Sequence, residues 1–336
     1  MTVRLLIVDD SAFFREVLRA ELAAWPEVTV VGEAGDGAQA IALARSLRPD
    51  VITMDVVLPL VGGVDAIRAI MAAQPTAIVV LSRRVGHDLR LGLEAMAAGA
   101  LELVEKPSAG FDPPAVRRLV ELLITVAGRP APAAIAEVPA PRLPRATAAR
   151  VIGVVASTGG PQLVRGLLAA LPRDFGVPIA IVQHTTAGFV EPLVSWLADA
   201  TPLTVRVAAA GQRLTAGEVL VAPDDQHLRF GADGAVRLDR GPRDAGHRPS
   251  GNALLRALAA GHGAAVVAIV LSGMGRDGAD GLAAVAAAGG TAVVQDPAEA
   301  AIAAMPRAAL AAVPTATVAR AAALPALLAQ AARGAR

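Results

Sequence analysis

Two sets of residues in this 336-residue chain are of types that do chemistry together. The first is mostly acidic. Asp9 and Asp10 follow one apolar run, Asp55 follows another, and Ser82 and Lys106 stand at the ends of two more. Three carboxylates gathered at one edge make a hard-oxygen site of the kind Mg²⁺ occupies, and a hydroxyl with an ammonium suits the oxygens of a phosphoryl group. Phosphoryl transfer to a carboxylate is the chemistry such a set performs. Lys106 adds weight because it is the single lysine among 31 basic residues. Taken singly, each would serve as a helix N-cap or a solvated side chain; the joint placement is what points to a site.

The second set begins with Ser157, in VVASTGGPQL at 154–163. An apolar run ends there and helical spacing begins, with Pro161 suited to a first helical turn. A serine at such a turn can cap the helix and, beside free helix-terminal N–H groups, attack a carbonyl whose oxyanion those groups hold; Ser157 is expected to do both. Gly159 and Gly160 would let a substrate backbone approach. A serine nucleophile needs a base and an orienting acid. His184 closes PIAIVQH, and Asp277 lies in SGMGRDGADG just past another apolar run, with Asp280 as the alternative acid. His87, His227, His247 and His262 fall in loops or helical flanks and read as surface or structural residues. The order Ser, His, Asp and the lack of G-x-S-x-G speak against an α/β-hydrolase, and GVVASTGG matches neither a P-loop nor G-x-G-x-x-G.

The elements that must position these residues alternate throughout. VRLLIV (3–8), VTVVGEA (28–34), VITM (51–54), IVVLS (78–82) and ALELVEK (100–106) are separated by amphipathic helical stretches, which predicts a parallel sheet covered on both faces. Five prolines in 128–150 mark a semi-rigid Pro/Ala-rich linker. The alternation then resumes with VIGVVA, PIAIVQ, LTVRVA, EVLVAP, AVVAIVLS and TAVVQ. The expected fold class is therefore α/β, as two doubly wound, mainly parallel-sheet domains: 1–127, a linker at 128–149, and 150–336. In both, the chemical residues stand at the carboxyl ends of strands, where open α/β sheets form their crevice.

Composition excludes several classes. Basic and acidic residues number 12 and 16 in 1–127, 4 and 1 in 128–150, and 15 and 13 in 151–336, too balanced for a phosphate-backbone binder, so no nucleic-acid partner is expected. The chain has no cysteine, which removes disulfides and thiolate sites and fits a reducing compartment. MTVRLLIVDD meets acid too early for a signal peptide, and no apolar stretch has the length of a membrane span, so a cytoplasmic protein without membrane insertion is expected.

Residues 1 to about 125 resemble a response-regulator receiver on DD at 9–10, Asp55, Ser82 and KP at 106–107. That resemblance implies a flavodoxin-like fold, Asp55 as phosphoacceptor, Mg²⁺ held by Asp9, Asp10 and Asp55, and Ser82 and Lys106 as the phosphate-sensing pair. Two departures stand out: DVVLPLVGG replaces the usual Met-Pro-x-Met-Asp-Gly, and Leu103 replaces the switch aromatic. ASTGGP (156–161), QH (183–184), APDDQHL (222–228), RPS (248–250), SGMGRDGADG (272–281), QD (295–296) and MP (305–306) resemble the Rossmann-like catalytic domain of chemotaxis protein-glutamate methylesterases. This implies demethylation of glutamyl methyl esters on chemoreceptor cytoplasmic domains, often with glutamine deamidation. It also implies a chemotaxis-type histidine kinase as phosphodonor and a receiver that covers the cleft until Asp55 is phosphorylated. Ser157 then corresponds to the nucleophile, His184 to the base and Asp277 to its orienter, with no cofactor in the esterase domain. Thr158, Gly159 and Met274 match positions that shape the site and its oxyanion donors, or serve structure alone. Thr185-Thr186 stand where the family usually has Met-Pro, and Gly251-Asn252 where it has Val-Asp, which puts substrate identity in question. The alternatives are a phosphorylation-controlled scaffold without hydrolysis and an esterase acting on a non-chemotactic receptor.

Overall fold

A computed structural model describes residues 2–82, 86–106, 113–128, 141, 149–231 and 233–333, in two compact units, Met1–Ala133 and Ala134–Arg336. Pro107 and most of the expected linker, 129–140 and 142–148, lie outside the described residues, as do the side chains of 86–89, His87 included.

The first unit alternates β1 (Val3–Val8), α1 (Ala12–Leu22), β2 (Val28–Ala34), α2 (Gly37–Leu47), β3 (Val51–Asp55), α3 (Gly63–Ala73), β4 (Ala77–Ser82), α4 (Gly86–Ala97), β5 (Glu102–Glu105) and α5 (Pro113–Val126). Its strands are all parallel, in the order β2-β1-β3-β4-β5. Every residue of β3 and β4 is buried, the reason these strands read as unbroken apolar runs. Ser11 and Asp36 cap α1 and α2 by accepting the N–H groups of Phe14 and Gln39. The strand order reverses between β1 and β3, and this switch point is where Asp9, Asp10 and Asp55 emerge.

The second unit contains β6 (Val151–Ala156), α6 (Gly160–Ala169), β7 (Ile179–Gln183), α7 (Val190–Ala198), β8 (Thr204–Val207), β9 (Glu218–Val221), β10 (His227–Phe230) and β11 (Val236–Asp239). It continues with α8 (Gly251–His262), β12 (Val266–Val270), α9 (Ala279–Ala287), β13 (Thr291–Gln295), α10 (Ala304–Ala312), β14 (Thr317–Ala319) and α11 (Leu324–Arg333). Seven parallel strands run in the order β14-β13-β12-β6-β7-β9-β8, and β10-β11 form a separate antiparallel ribbon. The ribbon and β14 are absent from the sequence reading. Val155, Val182, Leu254, Leu255, Val270 and Met305 belong to the core around the central strands. At Gly153 in β6, a Cβ would lie 2.6 Å from Leu255 and 2.8 Å from Leu258. Glycine there lets α8 lie directly on the sheet, and the N-terminus of α8 takes part in the site described next.

Candidate active site

In the first unit, Asp9, Ser82 and Lys106 are buried and Asp55 is 5% exposed, while Asp10 faces solvent. Lys106 Nζ lies 2.5 Å from Asp9 Oδ2 and 2.9 Å from Asp55 Oδ2, and 4.3 Å from the centroid of the Phe14 ring. The other Asp55 oxygen accepts the Val57 N–H at 3.0 Å, and Lys106 N–H donates to Ser82 O at 2.7 Å, tying the ends of β4 and β5 together. Burial lifts the Asp9 pKa above the ordinary carboxylate value, against the pull of Lys106 and with the Asp55 charge adding to it. One ammonium thus pairs with two of the three acids, and one oxygen from each of Asp9, Asp10 and Asp55 lies within 4.8 Å of the others. A hard divalent cation fits this donor set and its surplus negative charge.

In the second unit, β12, β6 and β7 are neighbours, so Asp277, Ser157 and His184 leave the sheet side by side. His184 N–H donates to Ala156 O at 2.9 Å, which holds the histidine beside the residue preceding Ser157. Ser157 is 8% exposed. The helix-capping half of the role expected of Ser157 is not what the fold uses: α6 starts behind Gly159, in the left-handed region at φ +75°, and no side chain caps it. Pro161 does occupy the first turn. The N–H groups of Thr158, Gly159 and Met274 have no acceptor among the described residues, so donors stand free on both sides of Ser157. Gly273 leaves room for the serine, since a Cβ there would lie 2.7 Å from Ser157 Cβ.

Asp277 is fully buried, and each of its oxygens is bonded. Oδ1 accepts the Ser250 hydroxyl at 2.8 Å, the Asn252 N–H at 3.0 Å and the Gly278 N–H at 2.9 Å; Oδ2 accepts the Gly251 N–H at 2.6 Å and faces His184 Nε2 at 2.9 Å. The carboxylate therefore sits on the N-terminus of α8, whose free donors and dipole favour an anion. Burial alone would raise the Asp277 pKa; the His184 hydrogen bond and charge and the Asn252 and Gly251 N–H groups overcome it and bring the value down to about 2. An ionised Asp277 can only accept, so the proton of a neutral His184 ring sits on Nε2 and the lone pair on Nδ1. Nδ1 is buried and has no hydrogen-bond partner among the described residues. Asp280, the alternative orienting acid, lies in the first turn of α9 and pairs with Arg276 instead, at 3.1 Å.

His247, read from the sequence as a surface or structural residue, stacks on His184 with ring centroids 3.9 Å apart and planes 4° from parallel. Burial, then the charge of His184, brings the His247 pKa down to about 4, so the ring is neutral near pH 7. His227 is fully buried and its Nε2 bonds Pro242 O at 3.0 Å, a structural role. His262 ends α8, partly buried, with its pKa lowered by burial and by Arg150. Gly251 and Asn252 do not face a cleft: both are buried and reach Asp277 through backbone N–H groups, which any residue supplies. Thr185 and Thr186 are half-buried after β7. Ser250 was legible only as part of RPS; nothing in that spacing announces its bond to Asp277.

Residues 152–328 match the family model for CheB methylesterase, and residues 5–118 that for the response regulator receiver domain. A protein-glutamate methylesterase/protein-glutamine glutaminase of Anaeromyxobacter dehalogenans is 46% identical over 314 residues, covering 90% of this chain and 91% of its own. One of Myxococcus xanthus is 44% identical over 341 residues, covering 98% and 93%. The crystal structure of the Thermotoga maritima CheB methylesterase catalytic domain matches with a TM-score of 0.52 at 31% identity, over 54% of this chain and 97% of that one. The chain belongs to the family of CheB protein-glutamate methylesterases that carry a response-regulator receiver domain.

Proposed function

We propose that this chain hydrolyses glutamyl methyl esters on the cytoplasmic domains of chemoreceptors, releasing methanol, and converts receptor glutamines to glutamate by the same acyl chemistry, releasing ammonia. The observation that carries the reading is the buried, ionised Asp277 bonded to a His184 whose other nitrogen has no partner among the described residues, where His184 follows β7 and Ser157 follows the neighbouring β6. His184 Nδ1 takes the Ser157 proton as Oγ attacks the ester carbonyl, and the N–H groups of Thr158, Gly159 and Met274 hold the oxyanion. The proton passes to the departing methoxy group, leaving Ser157 acylated. Water, deprotonated by His184, then releases the glutamate. Asp277 keeps the proton on Nε2 and stabilises the imidazolium. No metal takes part in this half of the chain.

Residues 1–127 act as the receiver, 128–149 as the spacer and 150–336 as the esterase, in the cytoplasm. Asp55 accepts a phosphoryl group from a chemotaxis-type histidine kinase, and Ser82 and Lys106 bind its oxygens. Asp9, Asp10 and Asp55 would hold Mg²⁺, which would supply the positive charge that this transfer needs. Phosphorylation then raises the esterase rate.

Methanol release from methylated receptor cytoplasmic fragments tests this reading. Wild type should release it, faster with a phosphodonor, and Ser157→Ala should lose roughly a hundredfold or more. Equal release by the variant would reject the assignment, and no release from any methylated receptor would reject the substrate.

A further inference from the structure

Gln183 is the last residue of β7, 3% exposed, and precedes the histidine of the site. Its side-chain amide donates to Ser157 O at 2.9 Å and to His184 O at 3.0 Å. Two carbonyls facing the same group require the NH₂ end there, since the oxygen end would meet them lone pair to lone pair. The amide oxygen is correspondingly left buried without a hydrogen-bond partner among the described residues. It points at Gly160, where a Cβ would lie 2.5 Å from it, so glycine makes the space the amide needs. An unmet buried acceptor is costly, and the fold keeps it in order to place both donors.

The placement continues the sheet. Ala156 and Gln183 are the final register pair of β6 and β7, and His184 N–H to Ala156 O is the last backbone rung between them. Beyond that rung the two chains part, at the residues that carry the nucleophile and the base. Here the Gln183 amide forms one more rung made by a side chain, bridging the carbonyls of Ser157 and His184. On the opposite side of β6, Ser157 N–H donates to Ser272 O at 3.0 Å, and the Ser272 N–H is held by Gln295 at the end of β13 at 2.7 Å. The Ser157 backbone is thus tied on its N–H side to the segment that follows β12 and on its carbonyl side to β7, with the Gly160 N–H of its own turn donating to the same carbonyl at 2.7 Å.

We infer that Gln183 is a positioning residue for the hydrolysis: its amide sets the register of Ser157 against His184, and the pair reacts only when that bridge is made. This rests on Ser157 and His184 being nucleophile and base. Gln183→Met keeps the length and removes both donors; Gln183→Glu turns an acceptor toward both carbonyls. Both should lower kcat for methyl ester hydrolysis about 10- to 100-fold with KM within about twofold, Gln183→Glu the more severely. Covalent labelling of Ser157 by a fluorophosphonate probe should slow in parallel. In a His184→Ala background, adding Gln183→Met should slow labelling little further, because the alignment it protects is already lost. A general structural role would instead cost the same factor in both backgrounds, and that additivity, or wild-type kcat in both variants, would overturn the inference. The wild-type chain gives a check that needs no variant: both Gln183 side-chain protons should exchange slowly in ¹⁵N NMR spectra of the full chain, and rapid exchange of the pair would also overturn it. Labelling and exchange are read without a receptor, so a chain that labels in a Gln183-dependent way yet hydrolyses no receptor ester counts against the substrate alone.

Discussion

At the scale of single residues, the site works by holding charges where burial would otherwise forbid them. Asp277 stays ionised in the interior because five donors surround it, and its proton-free state leaves the Nδ1 lone pair of a neutral His184 ring turned away from it. His247 shows the opposite solution, a ring kept neutral by burial and by the charges of His184 and Arg243, against the opposing pull of Asp277. A histidine of pKa about 4 in the fold and ordinary value when unfolded binds its proton first in the unfolded chain. Its contribution to stability is therefore complete above about pH 6.5 and is lost as pH falls toward 4. Urea unfolding at pH 7.5 and pH 5 should show wild type losing more stability between the two than His247→Phe does; equal losses would contradict the neutral, buried ring.

At the scale of elements, the N-terminus of α8 is the part that carries Asp277, and its approach to β6 depends on glycines. A Cβ at Gly251 would lie 2.2 Å from Val155 Cγ1. The valine usual at this place in the family cannot enter beside Val155 without displacing α8, so Gly251 and Val155 are complementary in volume. Gly251→Val should cost about 1–3 kcal/mol of stability by overpacking and reduce hydrolysis as the Asp277 donors shift. Val155→Gly combined with Gly251→Val should recover most of both. A double variant as damaged as the sum of the singles, measured by denaturant unfolding, would show that the two sites are not coupled. The departure that raised a question about substrate thus has its account in packing, one layer behind the reacting groups.

At the scale of the whole molecule, two α/β units of the same class gather two different sets of polar side chains at equivalent places, beyond the carboxyl ends of their central strands. The receiver site gathers acids and one lysine; the esterase site spends its single acid on a histidine. Chelation of divalent cations should therefore abolish the increment in methanol release produced by a phosphodonor and leave the basal rate within about twofold. A chelator that stops basal hydrolysis would place a metal in the esterase half. Asp55→Asn should reproduce the chelated behaviour in the presence of Mg²⁺.

The strands that matter, β1, β3, β4, β6, β7 and β12, were legible to within one or two residues, because strands buried on both faces are continuous apolar runs. Ser157 and His184 were legible as strand-end positions for the same reason, a polar residue that ends such a run emerging at the sheet edge, whereas Asp277 lies in the glycine-rich loop beyond β12 and was legible only as part of that loop. What the sequence by itself determined is therefore the class of fold and the residues presented at each strand end. Only the tertiary structure decided the rest: that His184 turns Nε2 to Asp277, that His247 stacks on it, that Ser250, Gly251 and Asn252 hold the carboxylate, and that Gln183 bridges the carbonyls of Ser157 and His184. Most of these contacts join positions distant in the chain, and several run through backbone N–H and C=O groups common to nearly every residue. No residue type marks such groups in a sequence, and only the packing of α8 and β7 against β6 and β12 selects the ones that meet.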